Sequence, residues 1–318
     1  MKATWIRFLV FTAVLALGFS ALAQIPGVTA NRPYRIGVLL KTLANPFWVT
    51  MQEGILAEAA KLGIEVVIGA EASEGEIVAQ LNRAEQQVQG GFDGLAWAPI
   101  TPTNLILAVR QANDRGFPVF NIDERFDPTA LQEAGASVVG FATTNNFNVG
   151  IQAGEFVVSQ LPGGGEVAII EGLAGNVSGI ARRDGFASVI NATAGFTLVA
   201  SQPADWDRVK ALDVATNLLQ RFPNLKAIYC ANDTMALGAA QAVQNAGKLG
   251  QVLVVGTDGI DEAVQAVRDG LLAATVAQDP AGIGATSLDL LVQVLNGETI
   301  PERVDVPSQL ITQETLGQ

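Results

Sequence analysis

The stretch RIGVLLKTLANPFW at residues 35–48 decides the fold. Ile36 to Leu40 carry no polar alternate position, as in a strand covered on both faces, and a helix pattern follows within a few residues. The same unit recurs. Apolar runs of this kind lie at 64–70 (IEVVIGA), 94–99 (GLAWAP), 118–124 (PVFNIDE) and 138–144 (VVGFATT). A second series lies at 166–172 (EVAIIEG), 196–202 (FTLVASQ), 227–233 (AIYCAND), 252–258 (VLVVGTD) and 272–278 (LAATVAQ). Strand–helix alternation of this kind builds parallel sheets flanked by helices. Ten strands are too many for one compact core, and the pattern restarts near residue 145, which predicts an α/β protein of two similar doubly wound lobes. A final helix is expected at about 281–296, after which VDVPSQLITQETL (304–316) alternates like an extended strand that suits either lobe.

The amino end, MKATWIRFLVFTAVLALGFSALAQ, sets Lys2 and Arg7 before an apolar run that closes on small residues. This order reads as a secretory signal over residues 1–23, cleaved after about Ala23, and the run is shorter than a membrane span. Loss of the two cations takes the formal charge from −12 to −14. So acidic a surface repels nucleic acid and anionic lipid. The chain has no histidine, which removes the commonest general base and zinc ligand. Its single cysteine, Cys230, lies in an apolar run and reads as a buried, inert thiol.

In open parallel sheets, ligands bind beyond the carboxyl ends of the strands. Here those ends bring Lys41, Asn45, Asp123, Asn232, Asp258 and Gln278 to one rim, and the helix start SGIARRDGF adds Arg182 and Arg183. Taken singly, Asn232, Asp233, Asp258 or Asp279 would serve as helix N-caps, and Lys41 and Arg182 as solvated charges. Trp206, in PADWDR, would staple the start of a helix. Gathered with Phe47 and Trp48, however, they suit a sugar, whose hydroxyls both donate and accept and whose C–H faces rest on aromatic rings.

Five longer stretches, VLLKTLANPFWV, GNVSGIARRDGF, VASQPADWDRVKALDVATNLLQ, AIYCANDTMALGAAQAVQNAGK and VLVVGTDGI, resemble the exported sugar-binding proteins of bacterial ABC importers, in the ribose-binding branch. The resemblance spans essentially the whole chain after the signal. It implies a type I periplasmic binding protein: two lobes, 24–143 plus about 279–306 and 144–278 plus about 307–318, joined by a three-strand hinge and closing on the ligand. It implies a site of Lys41, Asn45, Asp123, Arg182, Trp206, Asn232, Asp258 and Gln278, with Phe47 or Trp48 as an aromatic face. Arg182 is preferred to Arg183 because the arginine of the family stands three residues before a glycine, here Gly185. Ribose binders of the branch have arginine after the aspartate of the fourth strand, whereas this chain reads NIDER, with Glu124 in that place. That change, with Lys41, resembles the pattern of allose binders and implies a hexopyranose, D-allose first, with ribose or another pentose or polyol as the alternative.

The implied partners are a monosaccharide, an inner-membrane ABC permease and its ATPase. A chain serving a chemotaxis receptor would look the same. The expected form is a periplasmic monomer that needs no cofactor or metal. Sugar-responsive repressors share the architecture but begin with a basic helix-turn-helix, where this chain has a signal. A glycosidase using Asp123 and Asp258 as its carboxylate pair is the enzyme alternative. The glycine run LPGGGEVAIIEG lacks the Lys-Ser/Thr ending of a phosphate loop and leads into a strand.

Overall fold

A computed structural model describes residues 27–317; the expected export signal lies outside the described residues. The chain alternates strand and helix through β1 (Arg35–Thr42), α1 (Pro46–Leu62), β2 (Glu65–Glu71), α2 (Ile77–Gln89), β3 (Gly94–Trp97), α3 (Ile106–Asp114), β4 (Val119–Ile122), α4 (Pro128–Ala134) and β5 (Gly140–Thr144). It repeats this scheme in α5 (Asn146–Gln160), β6 (Gly165–Glu171), α6 (Val177–Ala192), β7 (Phe196–Pro203), α7 (Arg208–Arg221), β8 (Leu225–Cys230), α8 (Asp233–Asn245), β9 (Leu253–Asp258), α9 (Asp261–Arg268) and β10 (Ala274–Ala277). The last elements are α10 (Pro280–Leu295), β11 (Arg303–Val306), β12 (Gln309–Thr312) and the short α11 (Gln313–Leu316). All ten apolar runs are strands, and the final helix lies where its pattern placed it.

The strands form two six-stranded sheets with the same plan, β2-β1-β3-β4-β5-β11 and β7-β6-β8-β9-β10-β12. Pairing is parallel except for β12, which runs antiparallel to β10. By its alternation alone the tail suited either lobe, and the resemblance divided it near residue 306. It visits both: β11 extends the first sheet and β12 the second, with only Pro307 and Ser308 between them. Helices cover both faces of each sheet, which is why the strands carry no polar alternation. Helix α10, which follows the second sheet in sequence, returns to the first lobe and buries Ile283, Leu288 and Leu291 with Met51 and Ile55 of α1.

Asparagine or aspartate side chains start many of the helices beyond these strand ends. Asn45 accepts from the Phe47 amide, Asn176 from Gly179, Asn232 from Met235 and Asp279 from Gly282. The expected capping reading is therefore correct for Asn232 and Asp279, but Asp258 caps nothing. Asp233 accepts from the Gly259 and Ile260 amides and from the Thr275 hydroxyl, tying the start of α8 to the end of β9. Cys230 is buried, and burial pushes its thiol well above the ordinary value.

Close helix contacts hold α6 at the height the cleft needs. A Cβ at Gly150 of α5 would collide with the Arg182 carbonyl oxygen, and one at Gly185 with that of Phe147. The helices thus touch backbone to backbone, and Arg182 projects from the contact. Gly150→Ala should lower stability by about 1–3 kcal/mol in chemical denaturation, because the collision is with backbone and not with a side chain that can swing away. Alanine is the better helix former by about 1 kcal/mol, so an unchanged or raised midpoint would show that the pair has room to part.

Candidate functional site

The carboxyl ends of the strands of both sheets meet across one narrow cleft. From the first lobe, Lys41 stands at the end of β1 and Asn45 follows it, Glu74 follows β2, and Asp123 and Glu124 follow β4; Phe47 and Trp48 come from the first turn of α1. From the second, Asn176, Ser178 and Arg182 come from the start of α6, Trp206 follows β7, Asn232 follows β8, and Asp258 ends β9. In each sheet the strand order reverses around its first strand, so the first loop of each lobe opens at a topological switch point.

Nine of the ten residues expected at the site line this cleft. The tenth, Gln278, stands behind it and donates its amide to the Asp258 carboxylate at 2.7 Å, fixing that side chain. Arg182 is the buried arginine of its pair. Its guanidinium donates to Asn146 Oδ1 and to the Ala231 carbonyl, both at 2.8 Å, and lies 3.4 Å from Asp258. Arg183 points outward to Asp184 and Glu171. Glu74, Asn176 and Ser178 were not expected at the site. Each sits in a loop or helix start several residues past a strand end, where apolar periodicity gives no position. The GNVSG step, with an asparagine ready to cap the next helix, was the one available signal for Asn176.

Charge in the cleft is dense and mostly paired. Lys41, 2% exposed, lies 3.3 Å from Glu124 and 3.8 Å from Glu74, with its ammonium 5.4 Å from the Trp48 ring centroid. Burial disfavours that ammonium, but Glu124, Glu74 and Asp123 outweigh it and hold its pKa above the ordinary lysine value. Glu74 also accepts from the Trp48 indole N–H, and Phe47 meets Trp48 edge to face at 5.1 Å. Burial pushes the Asp123 carboxyl up to about 6, against the pull of Lys41, with Glu124 adding to the rise. Asp258 is raised well above the carboxylate range by burial, although Arg182 opposes it.

Four buried polar atoms at this rim have no hydrogen-bond partner: Asp123 Oδ1, Trp206 Nε1, Asn232 Nδ2 and Gln278 Oε1. The amide orientations are fixed, because Asn232 Oδ1 caps α8 and Gln278 Nε2 donates to Asp258. The result is two acceptors and two donors. The rim also stores backbone strain. Among the described residues, the non-glycine positions with left-handed φ are Asp123 (58°), Asp205 (53°), Trp206 (64°) and Asp258 (123°). Asp123 is held there by its amide on the Ala142 carbonyl and by the Thr143 hydroxyl on its own carbonyl.

Trp206 does more than staple a helix. Asp207 provides the cap of α7, while the indole lies flat across the cleft wall: a Cβ at Gly172 would collide with the ring, and one at Gly179 would come within 3.0 Å. The Arg182 guanidinium lies 6.0 Å from the ring centroid. The indole face thus belongs to the second lobe, and the Phe47–Trp48 pair to the first.

The chain matches the family described as periplasmic binding protein domain over residues 36–299. It is 53% identical to the D-allose-binding periplasmic protein of Escherichia coli, over 87% of this chain and 91% of that one. To the ribose import binding protein of the same organism it is 35% identical, over 94% and 98%. Among solved structures, an ABC transporter periplasmic solute-binding protein from Actinobacillus succinogenes with bound D-allose superposes with a TM-score of 0.85 at 31% identity, covering 89% of this chain and 99% of that one. Two α/β lobes of the same plan, a polar cleft between their strand ends and this agreement along the sequence make the chain a member of the periplasmic binding protein family.

Proposed function

We propose that this protein captures a monosaccharide, D-allose or a closely related hexopyranose, between its lobes and delivers it to an ABC permease driven by a separate ATPase. The observation that carries the reading is the set of unpartnered buried atoms on residues that line the cleft, the donors Trp206 Nε1 and Asn232 Nδ2 and the acceptor Asp123 Oδ1, between aromatic faces on opposite lobes. An unpaired polar group in a buried site costs about 1–3 kcal/mol, and sugar hydroxyls satisfy donors and acceptors alike. The 53% identical relative is named for D-allose, and Glu124 in place of an arginine supports that choice over ribose.

No step of this function asks for bond cleavage. Asp123 and Asp258 act as hydroxyl acceptors, and Gln278 and Arg182 orient Asp258. The lobes we infer, 24–143 with about 279–306 and 144–278 with about 307–318, are linked by three short crossings, after β5, after β10 and between β11 and β12. Rotation about these crossings opens the cleft, and sugar stabilises closure because only the closed form touches both ring faces. The amino-terminal signal directs the chain to the periplasm.

Isothermal titration of unfolded, sugar-stripped and refolded protein should give its tightest binding with D-allose among D-allose, D-ribose, D-galactose, D-glucose and myo-inositol, and small-angle scattering should show compaction with that sugar. Tight ribose binding without allose binding would overturn the choice of sugar; an unchanged radius of gyration would overturn closure. Trp206→Ala should weaken binding by about 2 kcal/mol or more through loss of the ring face and the N–H donor. Trp206→Phe, which keeps a face, should fall between that variant and the parent. Because the Asp123 carboxyl titrates near 6 and must be ionised to accept two hydroxyls, affinity should drop as pH falls from 7.5 to 5.5. A profile flat over that range, or one that survives in Asp123→Asn, assigns the acceptor elsewhere.

A further inference from the structure

We propose that Glu124 is a positioning residue that latches the two lobes together, and that its contribution to sugar retention comes through closure and not through contact with the sugar. Glu124 follows β4 in the first lobe and is fully buried, yet its carboxylate is spent across the cleft. Oε1 accepts from the Val177 backbone N–H at 2.7 Å, and Oε2 accepts from Asn176 Nδ2 at 2.8 Å. Both donors belong to the start of α6 in the second lobe. Among the described residues, the one partner of this carboxylate on its own lobe is the Lys41 ammonium at 3.3 Å. Unlike Asp123, Glu124 leaves no carboxylate oxygen unpartnered.

The surroundings fix this carboxylate on its own lobe before the other lobe arrives. Asn121 donates to the Glu124 carbonyl at 2.7 Å and accepts from the Phe126 amide, so the 123–126 turn is braced from beneath. Lys41 offsets the charge that closure buries, which gives the lysine a role of its own at the rim. On the other lobe, Asn176 Oδ1 caps α6 through the Gly179 amide while its Nδ2 faces Glu124, so one side chain both starts the helix and meets the latch. A carboxylate on the exposed N–H groups of a 16-residue helix is favoured by its dipole. These bonds exist only when the lobes meet, so their free energy falls on the open–closed equilibrium.

This inference rests on the lobe-closing reading above, and a charge swap separates the two. Asn176→Asp keeps a good N-cap on α6 but sets a second carboxylate against Glu124 in the closed form alone. Its sugar dissociation rate, followed by stopped-flow tryptophan fluorescence, should rise on the order of tenfold or more, with the association rate changed much less. Its thermal midpoint without sugar should match the parent. Adding Glu124→Gln to that variant returns an amide–carboxylate pair across the cleft with the parent net charge, and should restore most of the slow release. A sugar ligand would behave differently: Glu124→Gln would then weaken binding further in either background. Unchanged release in Asn176→Asp, or a double variant no slower than Asn176→Asp, overturns the latch while leaving sugar capture standing. A parent protein that neither binds a monosaccharide nor compacts overturns both.

Discussion

Burial of charge between two separately folded lobes is the constraint to which the rest of this molecule answers. A lysine, an arginine and several carboxylates stand within one narrow cleft, where an unpaired ion is costly. The pairing is divided by lobe. Lys41 is compensated by Glu74 and Glu124 of its own lobe, and Arg182 by Asp258 and two neutral acceptors of its own. Each half-site is therefore tolerable alone. Closure leaves over the Asp123 carboxylate, raised to about 6, and a few neutral donors and acceptors. The left-handed backbone at Asp123, Trp206 and Asp258 shows where the fold accepts strain to aim these groups.

The two lobes meet this constraint with one plan and different side chains. Corresponding loops follow β1 and β6, and each opens at the reversal of strand order in its sheet. In the first lobe that loop brings a lysine and an aromatic pair at the start of α1. In the second it brings Asn176, Ser178 and Arg182 at the start of α6, and the large ring arrives from the loop after β7 instead. The glycines at 172 and 179 have no counterpart of equal consequence in the first lobe. They are small because Trp206 lies on them, so a ring face that looks like an isolated tryptophan in the sequence depends on two distant backbone positions.

Much of this was legible in the sequence because doubly covered parallel strands announce themselves: an apolar run with no alternation, then a polar end. Lys41, Asp123, Asn232 and Asp258 occupy such ends and could be placed by that rule alone. Arg182 was separated from Arg183 by the resemblance, through its spacing to Gly185, and the outward pairing of Arg183 with Asp184 and Glu171 separates them in the structure. Glu74, Asn176 and Ser178 escaped because they lie in turns whose length the periodicity does not fix. Glu124 was visible, but as a missing cation. Its partners are on the other lobe, 52 and 53 residues along the chain, and no local pattern reports a contact that forms between lobes. The tail was divided by the resemblance alone, since to periodicity two four-residue strands separated by a Pro-Ser step read as one extended segment, although each joins a different sheet.

The brevity of that step bears on how strong a latch has to be. Three crossings of one to a few residues tether the lobes, so closing is an intramolecular event that does not carry the translational cost of bringing two free bodies together. Under that tether the latch proposed above, two bonds from Glu124 to the start of α6, acts on closure without that cost. The Glu124 carboxylate is committed to the start of α6 and to Lys41, whereas Asp123 and Trp206 keep unpartnered polar atoms in the cleft. A binding protein that must both retain a sugar and surrender it needs interactions of this divided kind. On the reading proposed above, the groups in the cleft select the sugar, and a separate, modest contact between lobes sets how long it is held.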